Sequence, residues 1–551
     1  MGHHGPTAET IDRGQIFLKK GSLWSRLPLI GAVMAVVGLV AAFAIYAGNK
    51  SSLHAAEKAY EDAWHNVQGA ADANTKATFE HHLAHEKAMH EALDQKIKAS
   101  ADARTVWESA VQSKGTDSDS AEIAFVESSA AVVTAREELA HAMHEAKHGR
   151  MELAEAVGGE VGEAYVAAQK QLHLTEASTN QFWFSYLTAF MTFLALGLGG
   201  LFFVIIQHLV RAGWSIVVRR IAENMMLSLP FLALLSLPIV FLPEAQHALF
   251  HWTHPEAVIS DVMLASKEGY LNLGFFQTRM ILYILAWSGL AYFFYSQSTG
   301  QDRATGDAIT HASVRMRWWA PIGLVLFAIS LTFCAFDLLM SLDPHWFSTM
   351  FGVYYFAGCA LTTHAFIALI VILLHRSNYL RGVVTRQHYH DLGKYMFGFT
   401  VFWTYIGFSQ YFLIWYSNIP EETGWFLYRQ QDDFIYVCYL LVIGRFLVPF
   451  FYMMNGQTKR FAKTMLPAAI WIVCFQVVDM FFLVQPVMAH NYAHETGSHH
   501  MELVIGMVDY LTLLGVGGVF LTVFGWGLNR SALVPTKDPR LTESLQFQNI
   551  G

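Results

Sequence analysis

Long apolar runs separated by short polar stretches dominate the chain and predict an all-α architecture. Leu27 to Gly48 carries no charged residue over about 22 positions, enough for a helix to cross a hydrocarbon core of roughly 30 Å. Nine similar runs follow, so ten membrane spans are predicted. The nine are Phe182 to Leu209, Ala222 to Leu242, Leu273 to Gln297, Trp318 to Ser341, Phe347 to Leu374, Tyr395 to Ile419, Trp425 to Met454, Thr464 to Met488 and Leu503 to Leu528.

Basic residues collect in every second loop, which predicts the orientation of the spans. Apart from the long insert after the first span, the alternate loops are acidic and hold Lys267 as their one basic residue. By the positive-inside rule, both termini are therefore predicted to be cytoplasmic. The basic residues are Lys19, Lys20, Arg26, Arg211, Arg219, Arg220, Arg303, Arg315, Arg317, Arg376, Arg381, Arg386, Lys459, Arg460, Lys463, Arg530, Lys537 and Arg540.

A polar segment interrupts the apolar pattern between the first two spans and is predicted to lie in the periplasm. Between Ser51 and Asn180 there are 22 Asp and Glu against 11 Lys and Arg, whereas the whole chain has a net charge of −8. Ala and Glu recur there at helical spacing, with breaks at KGTDSDS (114–120) and VGGEVGEA (157–164). This pattern predicts a long helical hairpin with a coiled-coil-like seam.

Histidines are frequent on this predicted hairpin and raise the question of a metal site. His141, His144 and His148 share one helical face, and an HxxHE pattern recurs around His82 and His85. Paired across a hairpin, imidazoles suit Zn or Cu. The alternative is a solvated helical face whose histidines tune charge or docking. The sequence favours this alternative because its spacing does not enforce a ligand set.

Composition places the chain among polytopic membrane proteins and limits its chemistry. It is 54% hydrophobic and 15% charged, against about 25% charged in soluble proteins. The cysteines form neither a CxxC nor a CxxCH motif, and the spans lack the paired histidines of a b-type cytochrome. No GxxxxGK[ST] phosphate loop occurs either. We therefore expect a chain that carries no electrons and does not use ATP.

Two buried acids at equivalent places indicate an internal repeat. Asp337 precedes Pro344 by seven residues, and Asp479 precedes Pro486 by the same interval, each near the end of an apolar run. The two runs lie four spans apart, which predicts two bundles of four helices, each ending with a buried acid and a proline stop. The predicted segments are 1–50 with the first span, the insert 51–180, the bundles 181–341 and 342–490, and 491–551 with the last span.

Ionisable residues within the spans divide by depth into two groups. Asp, Glu and His in such positions commonly mark proton relays, so two groups leading inward from opposite faces predict a pair of proton half-channels. The alternatives are that Arg279 neutralises acids and that Lys394, Arg445 and Glu223 reach the cytoplasmic interface. The cytoplasmic group is His208, Glu223, Lys394, Arg445 and, nearer the centre, His364; the outer group is Arg279, Asp337, Asp432, Asp433, Asp479 and Asp509.

Three longer motifs resemble the F subunits (ActF) of alternative complex III, a bacterial quinol:cytochrome c oxidoreductase. They are FDLLMSLDPHWFSTMFGVYYFAG at Phe336–Gly358, QHLVRAGWSIVVRR at Gln207–Arg220 and FSQYFLIWYSNIPEE at Phe408–Glu422. The resemblance covers the first span and Phe182 to about Arg540. The insert of about 130 residues departs from the family, whose loop there is much shorter.

The resemblance implies a fold like that of the NrfD-type polysulfide reductase membrane subunits, with two four-helix bundles flanked by the first and last spans. It implies partners: a paralogous C subunit, which is the better-supported quinol site, an iron–sulfur subunit of molybdopterin-enzyme type, and subunits carrying c-type haem. This chain would contribute proton half-channels in a bacterial inner membrane. A quinone is the one cofactor that the family suggests for it.

The resulting hypothesis is a membrane subunit without redox centres that couples quinol oxidation elsewhere to proton movement. A stand-alone ion-coupled transporter is the first alternative, since transporters also use internal repeats and polar midplane sites. Helices broken at mid-membrane are typical of such transporters, and prolines at span ends count against this alternative. The second alternative is a structural anchor whose buried acids are paired with Arg279.

Overall fold

All regular structure in the described residues is helical, as the apolar pattern predicts. The computed structural model describes residues 11–112, 118–496, 498 and 500–548. The chain divides into two compact units. The large unit comprises Met1–Tyr46, Asn180–Leu249 and Phe276–Gly551, and the insert unit comprises Ala47–Thr179 and Phe250–Phe275.

Fourteen principal helices are labelled here in chain order. They are α1 (Leu23–Ala70), α2 (Ala73–Gln112), α3 (Ser118–Val157), α4 (Gly159–Leu209), α5 (Ile216–Met226), α6 (Leu229–Phe241), α7 (Leu273–Gln301), α8 (Asp307–Leu338), α9 (Phe351–Arg376), α10 (Arg386–Ser417), α11 (Phe434–Leu440), α12 (Val448–Met454), α13 (Ala462–Thr496) and α14 (Met507–Arg530). A π-helical turn, Leu441–Leu447, joins α11 to α12.

Eight helical segments in the described residues are long and apolar enough to cross a membrane, which agrees with the membrane class predicted from composition. They are Trp24–Ala70, Gly159–Leu209, Ile216–Phe241, Asp307–Leu342, Phe351–Arg376, Phe434–Met454, Ala462–Ala493 and Met507–Arg530. The fourth and seventh predicted spans fall on α7 and α10, which are long but richer in polar residues and are not among the eight.

Large apolar side chains on the outer surface of the large unit fit a hydrocarbon surrounding. Leu234, Leu285 and Val325 are each about 60% exposed, on three different helices. Exposed apolar surface on this scale is rare in soluble monomers. Inside the unit, α1 and α14 approach so closely that a Cβ on Gly38 would lie 2.4 Å from the backbone nitrogen of Gly515. Glycine at this crossing allows close backbone packing.

The insert unit contains more helices than the single hairpin predicted. The predicted break at Gly158 and Gly159 is present, and both residues adopt positive φ of 58° and 59°. Another break, which the sequence analysis missed, occurs where the Asp72 carboxylate accepts the backbone N–H of Thr75 at 2.7 Å. The predicted break at 114–120 falls largely on 113–117, outside the described residues.

A shared core joins four helical segments at one end of the insert unit. Val67 on α1, Phe79 on α2, Leu153 on α3 and Tyr165 on α4 are all buried in one apolar cluster. Leu93 and Leu139 form a second cluster between α2 and α3. The unit is therefore held by ordinary apolar packing along its seam, as the alanine-rich pattern predicts.

The proline stop predicted at the end of the second bundle is wrong. Pro344 does follow the end of α8, but Pro486 lies inside α13, which continues to Thr496. A proline has no N–H to donate to the carbonyl four residues earlier, here that of Phe482. Arg429 supplies the missing donor: its Nε lies 3.2 Å from the Phe482 carbonyl, and its Nη2 lies 3.0 Å from that of Leu483.

The eighth predicted span is also shorter than expected at its start. Trp425 belongs to a separate short helix, Pro420–Leu427, and the membrane-crossing segment begins at Phe434. Between them Asp432 has a positive φ of 47°, which ends helical continuity. Arg429 lies in this break, 1% exposed, with its guanidinium carbon 3.5 Å from the centre of the Trp425 ring.

The contact of Arg429 with the carbonyls that precede Pro486 predicts energetic coupling between Arg429 and Pro486, which are distant in sequence. Arg429→Met should lower the free energy of unfolding by about 2 kcal/mol, because buried carbonyls lose charged donors. In a Pro486→Ala background, the restored backbone N–H can donate to the Phe482 carbonyl. The loss of unfolding free energy caused by Arg429→Met should therefore be smaller by roughly 1 kcal/mol. Unfolding in detergent micelles measures both values.

Pro467 supplies the matched control, because it also lies inside α13. Pro467→Ala and Arg429→Met should act additively. Equal costs of Arg429→Met in the native and Pro486→Ala backgrounds would contradict the role given to Arg429.

Candidate functional site

Two buried aspartates in the large unit are each paired with an arginine, and they form the centre of the candidate site. Asp337, near the end of α8, is 0% exposed and accepts from Arg279 of α7 through Nη2 at 2.8 Å and Nε at 3.0 Å. The Tyr283 hydroxyl donates to the same carboxylate at 2.9 Å. The pair is therefore bidentate, the strongest arrangement for arginine and a carboxylate.

The second aspartate has a looser arrangement. Asp479 on α13 is 1% exposed and accepts the Tyr354 hydroxyl at 2.5 Å. Its other oxygen lies 3.1 Å from Nη2 of Arg445. The same Nη2 donates to the side-chain oxygen of Gln476 at 2.7 Å, which also accepts from Thr362 at 2.7 Å. One guanidinium nitrogen thus serves two acceptors.

This contact corrects the predicted placement of Arg445. The sequence analysis put Arg445 in the cytoplasmic group and Asp479 in the outer group, but the two side chains are in contact. Arg445 is 1% exposed, so its side chain does not reach an interface. The membrane-crossing segment with Arg445 begins at Phe434 instead of Trp425, and the helix with Asp479 continues past Met488 to Thr496, so both residues lie nearer the middle of their helices than the predicted span ends implied.

A five-residue ionic network lies at the start of α5. The sequence predicted a loop at this place, with basic residues that set the orientation of the spans. Arg219 contacts Glu223 at 3.2 Å and Asp538 at 2.6 Å. Arg220 contacts Glu223 at 2.9 Å and Asp302 at 2.8 Å. Glu223 is 0% exposed, and both of its arginine partners are buried. Asp302 and Asp538 were missed, because polar loop positions give no signal of burial.

The predicted residue His208 lies close to this network. Its ring stacks on Phe294 with centroids 5.8 Å apart, and it is 8% exposed. Among the described residues, His208 Nε2, both amide atoms of Asn224 and the Ser298 hydroxyl are buried without a hydrogen-bond partner. Buried polar atoms of this kind are usually satisfied by ordered water. This region around the ionic network is therefore suited to hydration.

His364 lies within a stack of aromatic rings between α9 and α10. Its Nδ1–H donates to the Ala360 carbonyl at 2.7 Å, and its ring stacks on Tyr395 and Phe399 at 4.9 and 5.2 Å. A cleft of about 540 Å³ adjoins this stack. Its lining is Trp214, Asp391, Lys394, Tyr395, Gly398, Phe399 and Phe402. Lys394 pairs with Asp391 at 3.0 Å and stays half exposed, as expected at an interface.

The predicted outer acids other than Asp337 and Asp479 serve as backbone acceptors at helix ends. Asp432 and Asp433 do not lie within a span: they accept the backbone N–H groups of Met501 and Leu503 at 2.9 and 3.3 Å. Asp509 caps the start of α14, where it accepts Gly506 N–H at 2.8 Å and the Ser185 hydroxyl at 2.6 Å. These contacts follow from the unpaired N–H groups at helix starts and in turns.

The histidines of the insert unit pair with acids across and along the hairpin. Glu145 lies 3.4 Å from His85 on α2 and 3.3 Å from His141 on its own helix. The rings of His144 and His148 are in tilted contact with their centroids 5.8 Å apart, and the ring of His82 lies against Gly149. Within the described ranges, no group of three His, Cys, Asp or Glu is placed to hold a metal ion. These residues form a polar seam between α2 and α3.

Comparison with known proteins adds no identification to this geometry. No model of a known protein family matches the chain, and no curated protein matches it either. The chemistry of the site therefore depends on its own residues: two buried arginine–aspartate pairs, the ionic network at the start of α5 and an aromatic cleft.

The contact of Asp538 with Arg219 predicts how the C-terminal tail responds to pH. Burial by itself would raise the pKa of the Asp538 carboxyl. The attraction of Arg219 has a larger effect in the opposite direction, so the pKa lies below the usual 3.8. A carboxyl with a depressed pKa stabilises the folded state at pH values above the pKa that it has in the unfolded chain. This stabilisation is lost as the pH falls through the pKa that the carboxyl has in the folded protein. The protection factors of backbone amides in residues 531–548, which correct for the pH dependence of intrinsic exchange, should therefore stay high at pH 7 and fall only below about pH 4.

Asp538→Asn should give fast exchange in the same segment at pH 7 and cost about 3 kcal/mol of stability, because Arg219 is left without its partner. Glu543→Gln is the matched control, since the Glu543 side chain is about half exposed and pairs with Arg540. Identical exchange in the native protein and in Asp538→Asn at pH 7 would show that Asp538 does not hold the tail.

Proposed function

We propose that this chain is a membrane subunit, without redox centres of its own, of a quinol-oxidising respiratory complex, and that it belongs to the F subunits of alternative complex III. The observation that carries the proposal is the repeated arginine–aspartate pair. Arg279 and Asp337 lie on the fourth and fifth predicted spans, and Arg445 and Asp479 lie on the eighth and ninth. Equivalent pairs four spans apart support two related four-helix bundles.

The proposed architecture has ten spans, with the first and last flanking the two bundles. In it both termini are cytoplasmic, the insert is periplasmic, and the chain lies in a bacterial inner membrane. The basic residues of alternate loops support this orientation. The proposed partners are the paralogous C subunit, an iron–sulfur subunit and subunits with c-type haem. These partners hold the redox cofactors.

The proposed role of the chain is proton transfer coupled to quinol chemistry in a partner. The buried network of Glu223, Arg219 and Arg220 with nearby His208 would form the cytoplasmic half of the path. Asp479 with Arg445 and Tyr354 would form its inner end. Protonation of a central acid that alternates between two half-paths moves a proton without an open channel. The aromatic cleft beside Tyr395 and Lys394 suits an amphipathic ring such as a quinone headgroup.

The assembly is tested by isolating the full chain from its native membranes in a mild detergent. The proposal expects co-migration with c-type haem and iron–sulfur absorbance, and quinol-dependent reduction of cytochrome c in the same fraction. A chain that migrates alone and lacks both would contradict it.

Asp479→Asn tests the proton role. We expect the variant to assemble with lower stability, because Arg445 loses its carboxylate partner. Quinol oxidation should persist, while the number of protons translocated per electron falls, because an amide cannot exchange a proton at that position. The measurement is acidification around proteoliposomes during quinol oxidation. Asp307→Asn is the control, since Asp307 is an exposed acid at the start of α8. An unchanged proton-to-electron ratio in Asp479→Asn would remove this residue from the path.

An ion-coupled transporter is the second candidate, and interrupted helices favour it. The segment Ile216–Phe241 is broken between α5 and α6, and Leu441–Leu447 is π-helical. Discontinuous spans are typical of transporter sites. Ion flux by the isolated chain in liposomes, without partners, would favour this candidate over the respiratory subunit.

A further inference from the structure

The two arginine–aspartate pairs differ in how completely their polar atoms are satisfied. At Asp337, both carboxylate oxygens accept well-aligned donors from Arg279 and Tyr283. None of the side-chain atoms of these three residues is among the buried atoms that lack a hydrogen-bond partner in the described part of the chain. A pair closed in this way has no need of water.

The Asp479 site has the opposite character. Arg445 Nε and Nη1 and Gln476 Nε2 are buried and have no hydrogen-bond partner among the described residues, and the Asp479 oxygen that lies 3.1 Å from Arg445 Nη2 accepts no aligned hydrogen bond. Arg445, Gln476 and Asp479 are at most 1% exposed, so bulk solvent does not reach these atoms. A buried polar atom without a hydrogen bond destabilises the folded protein, and a charged group does so more strongly. Such a concentration in one place calls for a further partner.

A glycine provides space beside these atoms. A Cβ added to Gly358 on α9 would lie 3.2 Å from Arg445 Nη2, 3.4 Å from the unsatisfied oxygen of Asp479 and 3.4 Å from the Gln476 side-chain oxygen. A methyl group on this residue would therefore crowd three polar atoms, and glycine leaves room beside them. The backbone of Gly358 is ordinary helix, so conformation does not require glycine here.

We infer that the Asp479 site is a binding site for ordered water, whereas the Asp337 site is dry. Water fits because the orphaned atoms include donors and an acceptor, and a buried water makes two to four hydrogen bonds. Ions fit less well, because Arg445 and Asp479 already balance one another's charge. The functional consequence rests on the proposed function: protons pass at Asp479, and Asp337 with Arg279 is a structural clamp between α7 and α8.

A density map of the purified full-length protein or its native assembly tests the hydration directly. At a resolution that shows ordered water elsewhere, we expect at least one peak about 2.6–3.2 Å from Arg445 Nε or Nη1 or from the free Asp479 oxygen, and none at that distance from the Asp337 carboxylate. A map with ordered waters elsewhere and none at Asp479 would overturn the inference. So would a peak of lipid or quinone shape filling the site.

Gly358→Ala tests the same site by filling it. The added methyl occupies the space beside Asp479 while keeping every polar side chain, and alanine favours helix over glycine. We expect the variant to fold and assemble, to lose the water peak next to Asp479, and to translocate protons on the order of tenfold more slowly, as for one lost hydrogen bond to a charged group.

Gly289→Ala on α7 is the matched control, because a Cβ there meets nothing within 4 Å. It should leave both the map and proton translocation unchanged. If Gly358→Ala keeps the water peak and the native rate, the assignment of the water to this space is wrong.

The failure of the hydration inference and that of the proposed function are distinguishable. A water peak at Asp479, lost in Gly358→Ala, establishes the hydrated site whatever the proton assay gives. An unchanged proton-to-electron ratio in Asp479→Asn counts against the proposed function alone. A full loss of assembly in Asp337→Asn, with Asp479→Asn assembled, would agree with the clamp.

Discussion

A charged group removed from water must find a partner of opposite charge or an aligned dipole, and this constraint organises the large unit. Arg279, Arg445, Arg219 and Arg220 each meet at least one carboxylate. Arg429 meets backbone carbonyls that a proline has left without a donor. An unpaired charge in this setting costs several kcal/mol, so each pairing fixes the position of two helices or of a helix and a loop.

Arginine suits this setting because its guanidinium has five donors in a rigid plane. Where two of them meet one carboxylate, as at Asp337, the contact is closed and holds α7 against α8. Where one nitrogen serves both Asp479 and Gln476, two other donor atoms stay available. The same residue types thus give a fully hydrogen-bonded pair in one place and an incompletely hydrogen-bonded pair in the other, and geometry alone makes the difference.

Interrupted helices have a related role. The break before α11 positions Arg429 beside the carbonyls that precede Pro486, and Arg445, which lies in the π-helical turn, contacts Asp479. Both departures from regular helix bring a buried cation to an acceptor. A continuous eighth span, as the apolar run predicts, would rotate these residues to other faces, since each residue added to a turn shifts the following ones by about 100°.

The sequence by itself determined the helical class, most of the apolar segments, the acidic helical insert and the buried acids Asp337 and Asp479. These depend on runs of residues and on the cost of a charge in an apolar segment, which are local properties. Tertiary structure decided which arginine each acid meets, that Pro486 lies within a helix, and that Asp302 and Asp538 join a buried network. A long side chain can reach several neighbours, and burial of a loop depends on what packs over it. Neither property can be predicted from spacing along the chain.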